Sequence, residues 1–156
     1  MTELRIKVET EIQMQNLAAQ LYQSLKSSAH RRAVIFLQGS LGAGKTTFVR
    51  GFLRSVPYTG HVKSPTYTLI EPYNLDNVDI YHLDLYRVSE PAALEEIGLR
   101  DLIDDDAYFL VEWPIKDKAA LFIPDIDVGI AFENELRIVT LKPTSNIGQD
   151  IVQGLS

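Results

Sequence analysis

The chain of 156 residues carries 15 Lys+Arg against 21 Asp+Glu, a formal charge of -6, and is 46% hydrophobic and 23% charged. This length suits one domain with one core, the composition excludes wholesale disorder, and the charge argues against a body that holds nucleic acid by phosphate neutralisation alone. The absence of cysteine excludes disulfides, thiolate zinc sites and cysteine nucleophiles. No apolar run reaches the roughly 18 residues of a membrane span and residues 1–9 lack a signal-peptide core, so a cytoplasmic location is expected.

Leu4, Ile6 and Val8 alternate with charged residues, the period of a half-buried strand. Thr10 with Gln13 three residues on reads as a capping box, and Leu17, Ala18, Leu21 and Leu25 continue a helix to about residue 26. After a polar loop, 33–37 is a continuous apolar run, as in a strand buried on both faces. A glycine-rich turn, 39–44, leads into a second helix with Phe48, Val49, Phe52, Leu53 and Val56 on its inner face, ended by Pro57. Residues 57–66 read as an adaptable loop and 67–73 with 78–86 as a hairpin. Ser89 and Pro91 open a short helix stopped by Gly98, 107–112 is another buried strand, and 126–132 with 136–141 turns around Asn134. Residues beyond 143 show few apolar anchors. No repeat or linker divides the chain, which gives a single α/β domain with a mixed sheet.

Gly39-Ser40-Leu41-Gly42-Ala43-Gly44-Lys45-Thr46 fits G-x-x-x-x-G-K-[ST] at every fixed position, between a predicted strand and a predicted helix. In such a loop the glycines let successive N–H groups face phosphate oxygens, and the following helix adds its positive dipole end. Lys45 then reaches the β- and γ-phosphates and the Thr46 hydroxyl takes a place on Mg²⁺. Gly39, Leu41, Gly42, Ala43, Gly44, Lys45, Thr46 and Thr47 are therefore the expected nucleotide-binding residues.

A Mg²⁺ ion bridging phosphates also wants a carboxylate from a neighbouring strand. Glu112, ending an apolar run, and Asp84, within 80–87, compete for that place. His82 shares a strand face with Asp84 and reads as an interior histidine; Asp104, Asp105 and Asp106 read as a solvated turn.

Together with 37–48, the blocks Ser64-Pro65-Thr66-Tyr67-Thr68, His82-Leu83-Asp84-Leu85-Tyr86-Arg87 and Val111-Glu112-Trp113-Pro114 closely resemble the TsaE (YjeE) family over roughly residues 3–142. That family is the bacterial P-loop ATPase of tRNA threonylcarbamoyladenosine biosynthesis. The resemblance implies a P-loop NTPase fold with a largely parallel central sheet flanked by helices, residues 1–142 forming the ATPase domain and 143–156 a C-terminal tail. It implies an ATP-binding, ATP-hydrolysing accessory protein that works with TsaB and TsaD and meets tRNA through that complex. Glu112 becomes the Mg²⁺ carboxylate beside Thr46. Asp84 becomes the catalytic or water-positioning acid beside Lys45, 64–66 with Thr66 a loop sensing the γ-phosphate, and Thr10 part of the wall near adenine. The sequence departs from the common pattern at Ser40 and at Ile115-Lys116.

Two other functions use the same loop: a small P-loop metabolite kinase, and a nucleotide-regulated binding module with negligible turnover. A kinase needs an arginine-bearing lid, and no segment after Trp113 clusters arginines. A GTP switch needs N-K-x-D, which is absent. No arginine is clearly placed to assist hydrolysis in cis: Arg50 and Arg54 sit on the helix away from the phosphate end, and Arg87 reads as a strand-end surface residue.

Overall fold

Alternation in the first residues does form a strand, β1 (Leu4–Val8), in the computed structural model, which describes residues 2–40, 42–55, 62, 70–75, 78–85, 98–113 and 122–155. Thr10 then starts α1 (Glu11–Ser27): its backbone is extended, its Oγ1 accepts from Gln13 N at 3.1 Å, and Gln13 Oε1 accepts from Glu9 N at 2.7 Å. This reciprocal pair satisfies backbone donors that no helical carbonyl can reach. Met14, Leu17, Ala18, Leu21, Tyr22 and Leu25 form one buried stripe.

The stripe packs on α2 (Lys45–Ser55), whose Phe48, Val49, Phe52 and Leu53 are buried; Tyr22 meets Phe52 edge-on at 5.3 Å. Gly51 permits the approach, since a Cβ there would lie 2.4 Å from the Gln15 backbone. Ala for Gly inside a helix ordinarily gains about 1 kcal/mol, but displacing packed backbone costs about 1–3 kcal/mol or more. Gly51→Ala is therefore expected to lower the urea midpoint of unfolding; a raised midpoint would mean that the two helices separate freely.

The remaining elements are β2 (Ala33–Gln38), β3 (Ile70–Leu75), β4 (Val78–Asp84), α3 (Leu99–Leu102), β5 (Tyr108–Glu112), β6 (Ile126–Glu133), β7 (Leu136–Pro143) and α4 (Asn146–Gln153). The seven described strands form one sheet in the order β1-β7-β6-β2-β5-β4-β3. Its centre, β6-β2-β5-β4, is parallel, and antiparallel pairs close both sides. Pro72 lies in edge strand β3, where its missing N–H is tolerated. Asn134 turns the β6–β7 hairpin with φ +58°.

Strand parity sorts the core into two layers. Ile35, Leu37, Ile80, Tyr108 and Leu110 face the layer that holds α1, α2 and the buried residues of α4. Val34, Leu83, Phe109 and Val111 face the other, with Leu102 of α3 packed against it. By the same parity His82, Asp84 and Glu112 project toward the α1–α2 layer.

Residues 143–156, expected as a sparsely anchored tail, instead carry α4, with Ile151 and Val152 buried. Eight residues are too few for a clear apolar period. The anchor lies elsewhere in the chain: Ser145 Oγ accepts from Gly148 N at 3.0 Å and donates to Asp125 Oδ1 at 2.6 Å, while Asp125 Oδ2 accepts from Val34 N at 2.7 Å. The expected helix at 89–97 and most of the 57–66 loop lie outside the described residues. Gly98, with φ +75°, precedes α3.

Candidate functional site

The glycine turn leaves the carboxyl end of β2, the end of a parallel sheet where ligands of such folds bind. Gly42 and Gly44 have φ of +79° and +116°, the left-handed conformations that turn backbone N–H groups inward. Gly39 answers a different need: a Cβ there would stand 2.7 Å from the Ile130 carbonyl oxygen of β6. Ala43 N donates to Ser40 O at 3.0 Å, and α2 begins at Lys45, directing its dipole into the loop. Thr46 and Thr47 stand on its first turn.

Register brings the acids to this place. In the β2–β5–β4 ladder Leu37 is opposite Glu112 and Glu112 opposite Asp84, so the carboxylates share a face on adjacent strands about 4.8 Å apart. Both are buried, 6% exposed for Asp84 and 4% for Glu112. His82, two residues before Asp84, reaches diagonally to Glu112, Nε2 lying 2.5 Å from Oε2. The interior histidine expected at 82 is therefore half-satisfied, since among the described residues its Nδ1 has no hydrogen-bond partner.

Lys45 is itself buried. Its Nζ donates to Gly39 O at 2.6 Å and lies 3.4 Å from the centroid of the Trp113 ring. Burial pulls its ammonium below the ordinary lysine range, and the nearby Glu112 and Asp84 carboxylates draw it partly back up. Trp113 follows β5 with φ +54°, an uncommon conformation for a bulky residue, and there covers the lysine.

Arg137, which the sequence did not single out, also stands beside the loop. Its guanidinium donates to Gly42 O at 3.3 Å and lies 4.9 Å from the Phe132 ring, on which it rests. The cause is pairing: β7 runs between β1 and β6, setting Arg137 opposite Val8 and Phe132. An arginine alternating with aliphatic residues carries no local sign of this. The Met14 methyl approaches Gly44 from α1, so the Thr10 junction and Arg137 lie on the side of the loop opposite the acids. Thr10 Oγ1 is engaged as the α1 cap. Leu41 and Thr66 lie outside the described residues.

Among the described residues no three His, Cys, Asp or Glu side chains form a metal cage. Mg²⁺ at a phosphate site does not require one, because it keeps several waters and takes one or two carboxylates. The buried acids beside the Lys45–Thr46 turn fit that donor set.

A strand, a glycine loop with two left-handed residues, a helix opened by Lys-Thr and acids on adjacent parallel strands define a P-loop nucleotide-binding protein. The family model of "Threonylcarbamoyl adenosine biosynthesis protein TsaE" matches residues 8–139. A protein of Haemophilus influenzae named tRNA threonylcarbamoyladenosine biosynthesis protein TsaE is 42% identical over 132 residues, 85% of this chain and 84% of that one. An Aquifex aeolicus protein of the same name is 36% identical over 133 residues, 84% and 92% of the two chains. The crystal structure of Bacillus subtilis YdiB superposes with a TM-score of 0.75 at 25% identity, covering 99% of this chain and 94% of that one. The chain belongs to the TsaE family.

Proposed function

We propose that the protein is a Mg²⁺-dependent ATPase that supports threonylcarbamoyl modification of tRNA adenosine, acting with TsaB and TsaD. The observation that carries the reading is the convergence of Lys45, Asp84 and Glu112 at the mouth of the glycine loop. Loop N–H groups from Gly39 to Thr46 take the phosphates, and Lys45 supplies their point charge. Thr46 and Glu112 hold the Mg²⁺, which when bound draws charge off the phosphate oxygens. Asp84 orients the attacking water, Thr66 and its loop sense the γ-phosphate, and Thr10 with Leu41 and Thr47 completes the nucleotide contacts.

Lys45 would meet phosphate from beside the Gly39 carbonyl and the Trp113 ring, so a bound nucleotide would act on both contacts. Trp113 is the only tryptophan, and its emission is expected to change on saturation with Mg²⁺-ATP. An unmoved spectrum would mean that the indole stays on the lysine.

Turnover alone is expected to be slow, and with a net charge of -6 the protein should bind tRNA weakly by itself. Phosphate release and pull-down with TsaB–TsaD, run with ATP, ADP and no nucleotide, test the proposal. ATP-strengthened docking with raised or coupled turnover is the expected result. Docking that ignores nucleotide, together with unchanged turnover, would reject it.

A further inference from the structure

We infer that His82 is a positioning residue: through one hydrogen bond it orients the Glu112 carboxylate for the divalent cation that accompanies the nucleotide. The inference rests on the Mg²⁺-nucleotide reading above and adds to it a residue with no phosphate contact of its own.

The geometry carries it. His82 is fully buried, and its Nε2 stands 2.5 Å from Glu112 Oε2. Glu112 serves a cation only as a carboxylate, so the shared hydrogen sits on Nε2, which donates to Oε2. Among the described residues Nδ1 has no partner. Leaving a buried nitrogen unpaired is unfavourable, and an apolar side chain of equal size would fill the same space without it. Among the described residues the ring's one hydrogen bond is with Glu112. Occupying Oε2 directs the carboxylate and leaves Oε1 as the oxygen through which Glu112 would meet the metal, while the fixed imidazole limits rotation of the side chain.

Sheet register explains why this residue does it. His82 is opposite Leu110 on β5, so Glu112, two positions further along the same face, lies diagonally within reach of an imidazole. Asp84, directly opposite Glu112, is an acid and cannot donate when ionised.

The test compares ADP and ATP affinities, with Mg²⁺ and with chelator, for wild type, His82→Phe and His82→Gln by calorimetry. Phenylalanine keeps the ring volume and removes the donor; glutamine restores an N–H at about the same reach. His82→Phe is expected to raise the Mg²⁺ concentration for half-saturation about 10–100-fold, the usual loss when a metal ligand's supporting partner is removed, with chelator affinities nearly unchanged and His82→Gln recovering most of the loss. Equal weakening with and without Mg²⁺ would make His82 only a packing residue and overturn the inference, as would an unchanged Mg²⁺ requirement. Wild-type protein that gains no affinity from Mg²⁺ would reject the Mg²⁺-nucleotide reading, and this inference with it, before any variant is compared. Should His82→Phe not fold, the imidazole ¹⁵N signals of the wild type decide. A hydrogen on Nε2 and a shift on adding Mg²⁺-ADP support the role; an Nε2 without a hydrogen overturns it.

Discussion

Lys45→Met is expected to lower ATP hydrolysis about 10²–10³-fold, the usual loss when one preorganised charge contact to the reacting group is removed. Its effect on stability should run the other way. Folding lowers the Lys45 pKa chiefly by burial, so the charged form is disfavoured in the folded chain at pH values below that lowered pKa. The penalty fades as pH rises through the lowered value toward the ordinary 10.5, where the unfolded chain also loses the proton. At neutral pH the methionine variant should therefore unfold at the wild-type temperature or above, and the difference should shrink in alkali. Thermal unfolding at several pH values, beside phosphate release, checks both halves. Wild-type turnover in the folded variant would reject the P-loop lysine assignment. A marked drop in unfolding temperature would show that the Gly39 carbonyl bond and the Trp113 contact outweigh the cost of burying the ammonium.

Glu112→Gln and Asp84→Asn are expected to fail in different measurements although the two acids are neighbours in register. The first should remove most of the Mg²⁺-dependent part of nucleotide affinity, by about tenfold or more, since losing a metal ligand costs at least as much as losing its supporting partner. The second should spare binding and lower turnover by about 10²–10⁴, the range for a group acting on the attacking water's proton. Nucleotide titrations with and without Mg²⁺, followed by single-turnover hydrolysis, separate the two. The reverse pattern would exchange their roles.

Much of this arrangement was legible in the sequence, for local reasons. The G-x-x-x-x-G-K-T spacing contains its own requirements: left-handed backbone at Gly42 and Gly44, a helix start at Lys45 and a strand before it. Thr10 with Gln13, the apolar stripe of α1 and the alternation of β1 are likewise decided within a few residues, and the structure contains all three. Parity alone put His82 and Asp84 on one face.

Tertiary structure decided what depends on partners distant in the chain. Only the β4–β5–β2 register sets Asp84 beside Glu112 and both beside the loop, and only the diagonal across that register turns His82 from a core residue into the partner of Glu112. Arg137 reaches the Gly42 carbonyl because β7 pairs between β1 and β6, a placement invisible in a strand where an arginine simply stands between Leu136 and Ile138. The helix at 146–153 depends on Asp125, which joins Val34 N to the Ser145 cap. Backbone conformation is fixed by neighbours a few bonds away, whereas burial, pairing and the electrostatics of a buried charge are fixed by whatever the fold brings alongside.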